Sequence, residues 1–347
     1  MERRDALKAI ALLPFAVQTM LAANDKNLNV RKTIIKPKRL KIGDTVGVIA
    51  PASGVSEEAF EKGLQNLAEM GFKTKVGKYA REQNGFLAGT DKERLHDLHW
   101  AFTDKEIKAV WCVRGGYGTS RLLADLDYKL IEKNPKIFIG FSDITALHLA
   151  IYKRTGLITF HGPNAASNYS DYSKKHVLEP LMNPTEKYVI NLPEVPEGQD
   201  PELYKTITIT KGKCRGELIG GNLSLLVALA GTQYGLERAR GNILFIEDVS
   251  ESPYRVDRML TQLRDSVNLR TLAGIAIGVF TKGDPDPAKP SQTLLEVLQE
   301  RLGDLRIPVM YGLSFGHIRN NFTLPIGIKA EMDTEDSTLT FLESAVT

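Results

Sequence analysis

Strand-like and helix-like segments alternate along this chain from Lys41 onward, which predicts an α/β fold built on a parallel sheet with helices on both faces. Two further observations support that reading. Short apolar, β-branched runs end in glycine-containing turns at 114–118 and 140–143, and each turn leads into a helical pattern. In sheets of this kind ligands sit beyond the carboxyl ends of the strands, where both turns lie.

The elements follow in order. Residues 45–50 form a strand ending at Pro51. Residues 56–70 carry Phe60, Leu64 and Leu67 on one helical face and stop at Gly71, a residue suited to the left-handed position after a helix. Thr90 and Glu93 have capping-box spacing and open a helix with Leu95, Leu98 and Phe102 on one side. Residues 107–113 are an apolar strand running into Arg114-Gly115-Gly116-Tyr117-Gly118. After a further helix, the strand 136–139 leads through Gly140-Phe141-Ser142-Asp143 into a helix over 144–155, ended by Gly156.

Residues 164–205 hold several prolines and no sustained period, and read as a connection between domains. A second domain opens with strand-like residues 206–210. Gly220-Gly221-Asn222 precedes an apolar helix, 223–230, and the buried-type strand 242–246 ends at Glu247. Ser252-Pro253 places proline at the first position of a helix. A strand (271–280), a helix (292–302) and short terminal strands complete the domain. The expected limits are 38–165, a linker over 166–205, and 206–347.

At 347 residues the chain is long enough for two cores. A net charge of +3, with no Lys/Arg stripe interleaved with aromatics, argues against a nucleic-acid binder. Cys112 and Cys214 form neither a CxxC pair nor a metal-type spacing with histidine. The first 37 residues read as a leader and flexible tether. Arg3 and Arg4 precede an apolar stretch, 9–23, too short to span a bilayer, with small residues at Ala22 and Ala23. The paired arginines resemble a twin-arginine export signal, although Ala6 stands where such signals carry an aromatic. An amphipathic helix at the start of a cytoplasmic protein is the alternative.

Ser142, between strand and helix, has the setting of a nucleophile elbow. Its hydroxyl projects outward and the helix N-terminus behind it offers free N–H groups. By itself the same serine also suits a helix N-cap. The backbone N–H of Asp143 would face an oxyanion, and the glycine turn could supply a second donor from Gly116. The same turn also reads as a tight connection without a ligand. A serine nucleophile needs a base, and His161 and His317, each in a small-residue loop after a strand, compete for that role. Glu247 and Asp248, at a strand's carboxyl end, are candidates for the carboxylate that orients it.

Several segments together resemble the LD-carboxypeptidase family, also called muramoyltetrapeptide carboxypeptidases, with the related microcin-resistance peptidases. They are Gly43-Asp44-Thr45-Val46-Gly47-Val48-Ile49-Ala50-Pro51-Ala52-Ser53, Arg114-Gly115-Gly116-Tyr117-Gly118, Ile139-Gly140-Phe141-Ser142-Asp143 and Thr159-Phe160-His161-Gly162-Pro163. In the second domain they are Gly220-Gly221-Asn222-Leu223, Phe245-Ile246-Glu247-Asp248, Tyr254-Arg255-Val256-Asp257-Arg258 and Gly316-His317. The resemblance runs in order from about residue 38 to 333.

It implies a catalytic triad of Ser142, Glu247 and His317, leaving His161 as a neighbour that lines the site, and Asn222 as a substrate contact. It implies a flavodoxin-like or glutamine-amidotransferase-like N-terminal domain with a parallel sheet, a smaller β-rich C-terminal domain, and a homodimer. The activity implied is release of the terminal D-alanine from the tetrapeptide stem of peptidoglycan, or from a released muropeptide, without metal or organic cofactor. Arg114 is the candidate partner for the substrate's terminal carboxylate. A same-fold peptidase acting on a peptidyl-nucleotide antibiotic and a non-catalytic muropeptide-binding protein are the alternatives.

Export predicts a trimmed N-terminus in the envelope fraction of cells expressing the native gene, lost in Arg3→Lys/Arg4→Lys. Fractionation followed by N-terminal sequencing checks this, and an intact Met1 start in the cytoplasm would refute it.

Overall fold

The computed structural model describes residues 33–347 apart from 196, 197, 199, 237, 238 and 286. The expected leader therefore lies outside the described residues. Contacts divide the chain into Met1–Thr33 and a second unit, Ile34–Thr347. Its first strands are β1 (Thr45–Ile49), β2 (Lys73–Val76), β3 (Ile107–Cys112), β4 (Ile137–Gly140) and β5 (Thr159–His161). Then come β6 (Tyr188–Ile190), β7 (Ile207–Thr210), β8 (Lys213–Asn222), β9 (Ile243–Glu247) and β10 (Gly274–Val279). The last are β11 (Val309–Gly316), β12 (Leu324–Ile326), β13 (Lys329–Asp333) and β14 (Thr338–Phe341).

These strands form two sheets. One has the order β12-β5-β4-β3-β1-β2 and is parallel except for β12. The other has the order β6-β14-β13-β8-β9-β10-β11-β7, with a parallel centre from β8 to β11 and antiparallel strands on either side. The carboxyl ends of β3, β4 and β5 deliver Arg114, Ser142 and His161. Those of β8, β9 and β11 deliver Asn222, Glu247 and His317.

The helices are α1 (Glu57–Glu69), α2 (Asp91–Thr103), α3 (Tyr128–Lys133), α4 (Thr145–Thr155), α5 (Asp171–Met182), α6 (Leu223–Ala228), α7 (Pro253–Ser266) and α8 (Leu294–Leu302). The expected capping box is present at α2, where Thr90 and Glu93 bond each other's backbone N–H. Ile144, Leu147 and Ile151 of the first half share one buried apolar cluster with Ile219, Leu223 and Leu226 of the second. The halves are thus joined by hydrophobic packing, which fixes their mutual position more firmly than a polar hinge would.

Two expectations are corrected. The segment 166–205 is not a plain connection, because it contains α5 and β6, and β6 pairs with β14 in the second sheet. Helix α5 buries Ser173, His176, Val177, Pro180 and Leu181, and the polar and proline members of that face hide its period. Ile35 and Pro37, in the expected tether, are tied down as well. Ile35 bridges Leu157 in parallel, and the Pro37 carbonyl accepts from the Thr347 N–H at 3.0 Å.

The Gly220-Gly221-Asn222 segment joins the halves by close approach. Gly220 has φ +146°, and a Cβ there would lie 1.9 Å from the Phe245 carbonyl oxygen. Gly221 has φ +147°, and its Cβ would meet the Thr145 side chain at 2.4 Å. Only glycine allows β8 to press against β9 and the start of α4 at once. Gly220→Ala is expected to destabilise by about 3 kcal/mol or more, since strain and overpacking add. Gly43→Ala, also at positive φ (+86°) but with nothing within 4 Å of the added carbon, is expected to cost only about 1–2 kcal/mol. Urea unfolding of the two variants checks the difference.

Candidate active site

Ser142 follows β4 with φ +65°, in the left-handed region that a non-glycine residue enters at a cost. It opens a short 3₁₀ turn (Ser142–Ile144) that continues into α4. Neighbouring groups hold the bend. The Phe141 N–H donates to Asn164 Oδ1 at 3.2 Å. Asp143, 2% exposed, accepts the Thr119 N–H at Oδ2 (2.9 Å), while the Thr119 hydroxyl donates to the Asp143 carbonyl (2.5 Å). Burial pushes the Asp143 carboxyl up, partly offset by these donors. This aspartate therefore ties the elbow to the glycine turn.

That turn is braced from the other side. Gly115 packs so closely that a Cβ would lie 2.9 Å from Ser142 Cβ. Gly116, at φ +111°, would collide with Ser53, whose hydroxyl accepts the Tyr117 N–H at 3.0 Å. Arg94, 2% exposed, donates to the carbonyls of Pro51 (2.6 Å) and Gly118 (3.0 Å) and also bonds Asp91. The backbone N–H groups of Gly116 and Asp143 donate no hydrogen bond among the described residues. Sequence reading missed Arg94 and Thr119, because an arginine three residues after Asp91 reads as an ordinary surface ion pair.

Glu247 ends β9 with no exposed surface, and its Oε2 lies 2.7 Å from His317 Nδ1. Gly316, at φ +115°, brings the backbone so near that an added Cβ would lie 3.1 Å from Glu247 Cβ. Burial raises the Glu247 pKa, but the charge and hydrogen bond of His317 outweigh it and hold the carboxylate below its ordinary range. For His317 burial acts downward, and the Glu247 charge and hydrogen bond raise the imidazole above 6.5. The shifts have the opposite signs expected of an ion pair.

His161 lies on the far side of the same carboxylate, with Nε2 3.7 Å from Glu247 Oε1, too long for a hydrogen bond. It is fully buried, and desolvation pushes its pKa down to about 4, so it is neutral at pH 7. His161 therefore touches the carboxylate and not the open pocket. Asn222 is likewise removed from the cleft surface. It is 3% exposed, donates Nδ2 to Asp248 Oδ1 at 2.9 Å, and caps α6 by accepting the Leu225 N–H. Strand register places it directly beside Glu247, which explains its burial. Asp248 also accepts from Ser224 and from the Val249 N–H, a structural carboxylate fully engaged by its donors.

Ser142, His317, Arg114 and Gly116 line one pocket of about 310 Å³. Among the described residues no hydrogen bond joins Ser142 to His317, although both line this pocket. Phe141 packs against the imidazole with ring centroids 4.7 Å apart. An adjoining pocket of about 770 Å³ shares Phe141, Ser167 and His317, and adds Lys282 and Arg319, which sequence reading did not single out. Arg114 is exposed and, among the described residues, bonds the Gly54 carbonyl alone, at 3.1 Å. No group of three or more His, Cys, Asp or Glu side chains that could hold a metal ion occurs among the described residues.

Comparison with known proteins identifies the family. Residues 46–162 match the model of the LD-carboxypeptidase N-terminal domain, and residues 215–332 that of its C-terminal domain. A probable murein peptide carboxypeptidase of Bacillus subtilis is 43% identical over 87% of this chain and 93% of its own length. The murein tetrapeptide carboxypeptidase of Pseudomonas aeruginosa is 36% identical over 84% of this chain and 94% of its own. The solved structure of the microcin C7 self-immunity protein MccF with glutamyl sulfamoyl guanosine superposes with a TM-score of 0.82 at 28% identity, covering 90% of this chain and 99% of that one.

The electrostatics are testable by NMR titration of the imidazoles. His317 is expected to titrate above 6.5 and to fall below it in Glu247→Gln, which removes the charge that raises it. His161 is expected to remain neutral down to about pH 4.

Proposed function

The chain belongs to the LD-carboxypeptidase family, and from that premise we propose that it is a serine carboxypeptidase releasing terminal D-alanine from the tetrapeptide stem of murein. The observation that carries the reading is the buried Glu247–His317 pair opening onto the pocket beneath the Ser142 elbow.

In this proposal Ser142 Oγ attacks the carbonyl joining the L-configured centre of the third stem residue to D-alanine. His317 Nε2 takes the serine proton while Nδ1–H stays bonded to Glu247, which fixes the tautomer and stabilises the imidazolium. The oxyanion meets the free N–H groups of Asp143 and Gly116, donors worth about 3 kcal/mol each in such sites. On collapse the C–N bond breaks and His317 returns the proton to the departing D-alanine amine. Water, activated by the same imidazole, then hydrolyses the acyl-serine. Arg114, with Lys282 and Arg319 beyond it, supplies cationic partners for the substrate's terminal carboxylate.

The burial of Asn222 and His161 favours positioning roles, one steadying the strand end beside Glu247 and the other packing against its second oxygen. Export through the leader and a homodimeric state complete the proposal, resting on residues 1–23 and on the family resemblance respectively. A second reading, cleavage of an aminoacyl-nucleotide conjugate, is favoured by the likeness to the microcin C7 self-immunity protein.

Incubation with tripeptide, tetrapeptide and pentapeptide muropeptides and with an aminoacyl sulfamoyl nucleotide, followed by mass analysis, separates the readings. Loss of one alanine from the tetrapeptide alone is expected. Ser142→Ala is expected to keep its fold by circular dichroism and lose at least about 10³ of the rate. Undiminished turnover in that variant would sink the serine mechanism.

A further inference from the structure

The parallel strands β1, β3 and β4 have two ends. The elbow and glycine turn occupy their carboxyl ends, and a different surface occupies their amino ends, ~15 Å away by the rise of a five-residue strand. A groove of about 620 Å³ opens there, beside Asp44 before β1, Ile107 at the start of β3 and Lys136 before β4. Its rim carries Lys38, Arg39, Lys41, Lys105 and Lys108, all exposed. No carboxylate pairs with any of these five among the described residues. Of the acids nearby, Asp104 and Glu106 pair with Lys75 and Glu343 with Lys36, and Asp44 lines the groove itself beside Lys41, whose backbone N–H it accepts.

Two further observations distinguish this surface from a merely solvated one. Ile42, adjoining Lys41, is 68% exposed, the most exposed large apolar side chain among the described residues, and Ile34 nearby in sequence is 37% exposed. In addition, residues 33–41 contain four Lys or Arg and no Asp or Glu. Clustered basic residues with protruding aliphatic side chains are a pattern by which proteins seat on anionic lipid headgroups.

We propose that the surface formed by Lys38, Arg39, Lys41, Lys105, Lys108 and Ile42 docks on an anionic phospholipid bilayer. The lysines and arginine engage the headgroup phosphates, Ile42 enters the interfacial layer, and the Ser142 pocket points away from the membrane. Nothing in this docking depends on which peptide the pocket accepts. The aromatic side chain at the groove, Phe102, is fully buried and so offers no face on which a nucleic-acid base could stack.

Co-sedimentation of the full-length chain with vesicles tests it. Vesicles of phosphatidylcholine alone are compared with vesicles containing roughly a third phosphatidylglycerol, at about 0.15 M and about 0.5 M salt. Binding only to the anionic vesicles, lost at the higher salt, is expected. Lys38→Gln/Arg39→Gln/Lys105→Gln/Lys108→Gln is expected to weaken binding about a hundredfold with an unchanged thermal melt, while Lys38→Arg/Lys105→Arg/Lys108→Arg retains it. Equal binding to neutral vesicles, or unaltered binding by the glutamine variant, overturns the proposal. Retention on a polyphosphate matrix without vesicle binding also overturns it, in favour of a phosphate-rich polymer.

Discussion

A carboxylate with no exposed surface must find a positive partner or lose its charge, and for Glu247 that partner is His317, seventy positions further along the chain. Much of the architecture serves that pairing. Strand β9 lies in the middle of an eight-stranded sheet, so its carboxyl end is walled by β8 and β10 and shielded from water. Strand β11 pairs with β10 and ends in a glycine whose left-handed backbone brings the imidazole within reach. Breaking the pair by removing the histidine would leave an uncompensated buried charge, so the imidazole contributes to stability.

Backbone contacts with no room for a side chain form a second constraint. Gly115 lies against the Ser142 elbow, Gly220 against β9 and Gly221 against Thr145, so that three glycines set the spacing between the turns of the first sheet and the strand ends of the second. Around them the polar groups are short and direct: Asp143 to Thr119, the Asn222 N–H to Thr145 at 3.0 Å, Arg94 to two carbonyls. A site held in this way keeps its geometry without waiting for substrate, which is the condition for electrostatic preorganisation.

Much of this was legible in the sequence. The elbow at Ser142 followed from a strand pattern broken by Gly140 and resumed as a helix ending at Gly156, and the structure has these elements at nearly those positions. Glu247 was legible as an acid at the end of an apolar strand. The choice between His161 and His317 was not legible from spacing, because both follow strands in small-residue loops; the family resemblance pointed to His317, and the fold places that imidazole at the open pocket. The placement of Asn222 was not legible either: its side chain turns inward to Asp248, a consequence of strand register that linear spacing does not carry. Arg94, Lys282 and Arg319 stayed hidden because isolated cations look alike until tertiary structure buries one and brings the others to a cleft. Helix α5 escaped because His176, Ser173 and Pro180 interrupt its buried face.

Strand β12 leaves the second half of the chain to pair with β5, and so completes the first sheet with residues made more than 160 positions later. During synthesis the first five strands emerge as a sheet whose β5 edge has open hydrogen-bonding groups, a surface prone to pairing with other chains. The edge is sealed only when residues 324–326 arrive, shortly after His317 leaves the ribosome. Closure of the sheet and arrival of the imidazole are thereby nearly simultaneous events in the life of a nascent chain. A truncated product lacks both, and would be recognisable to quality control by its raw edge before it could present an assembled cleft.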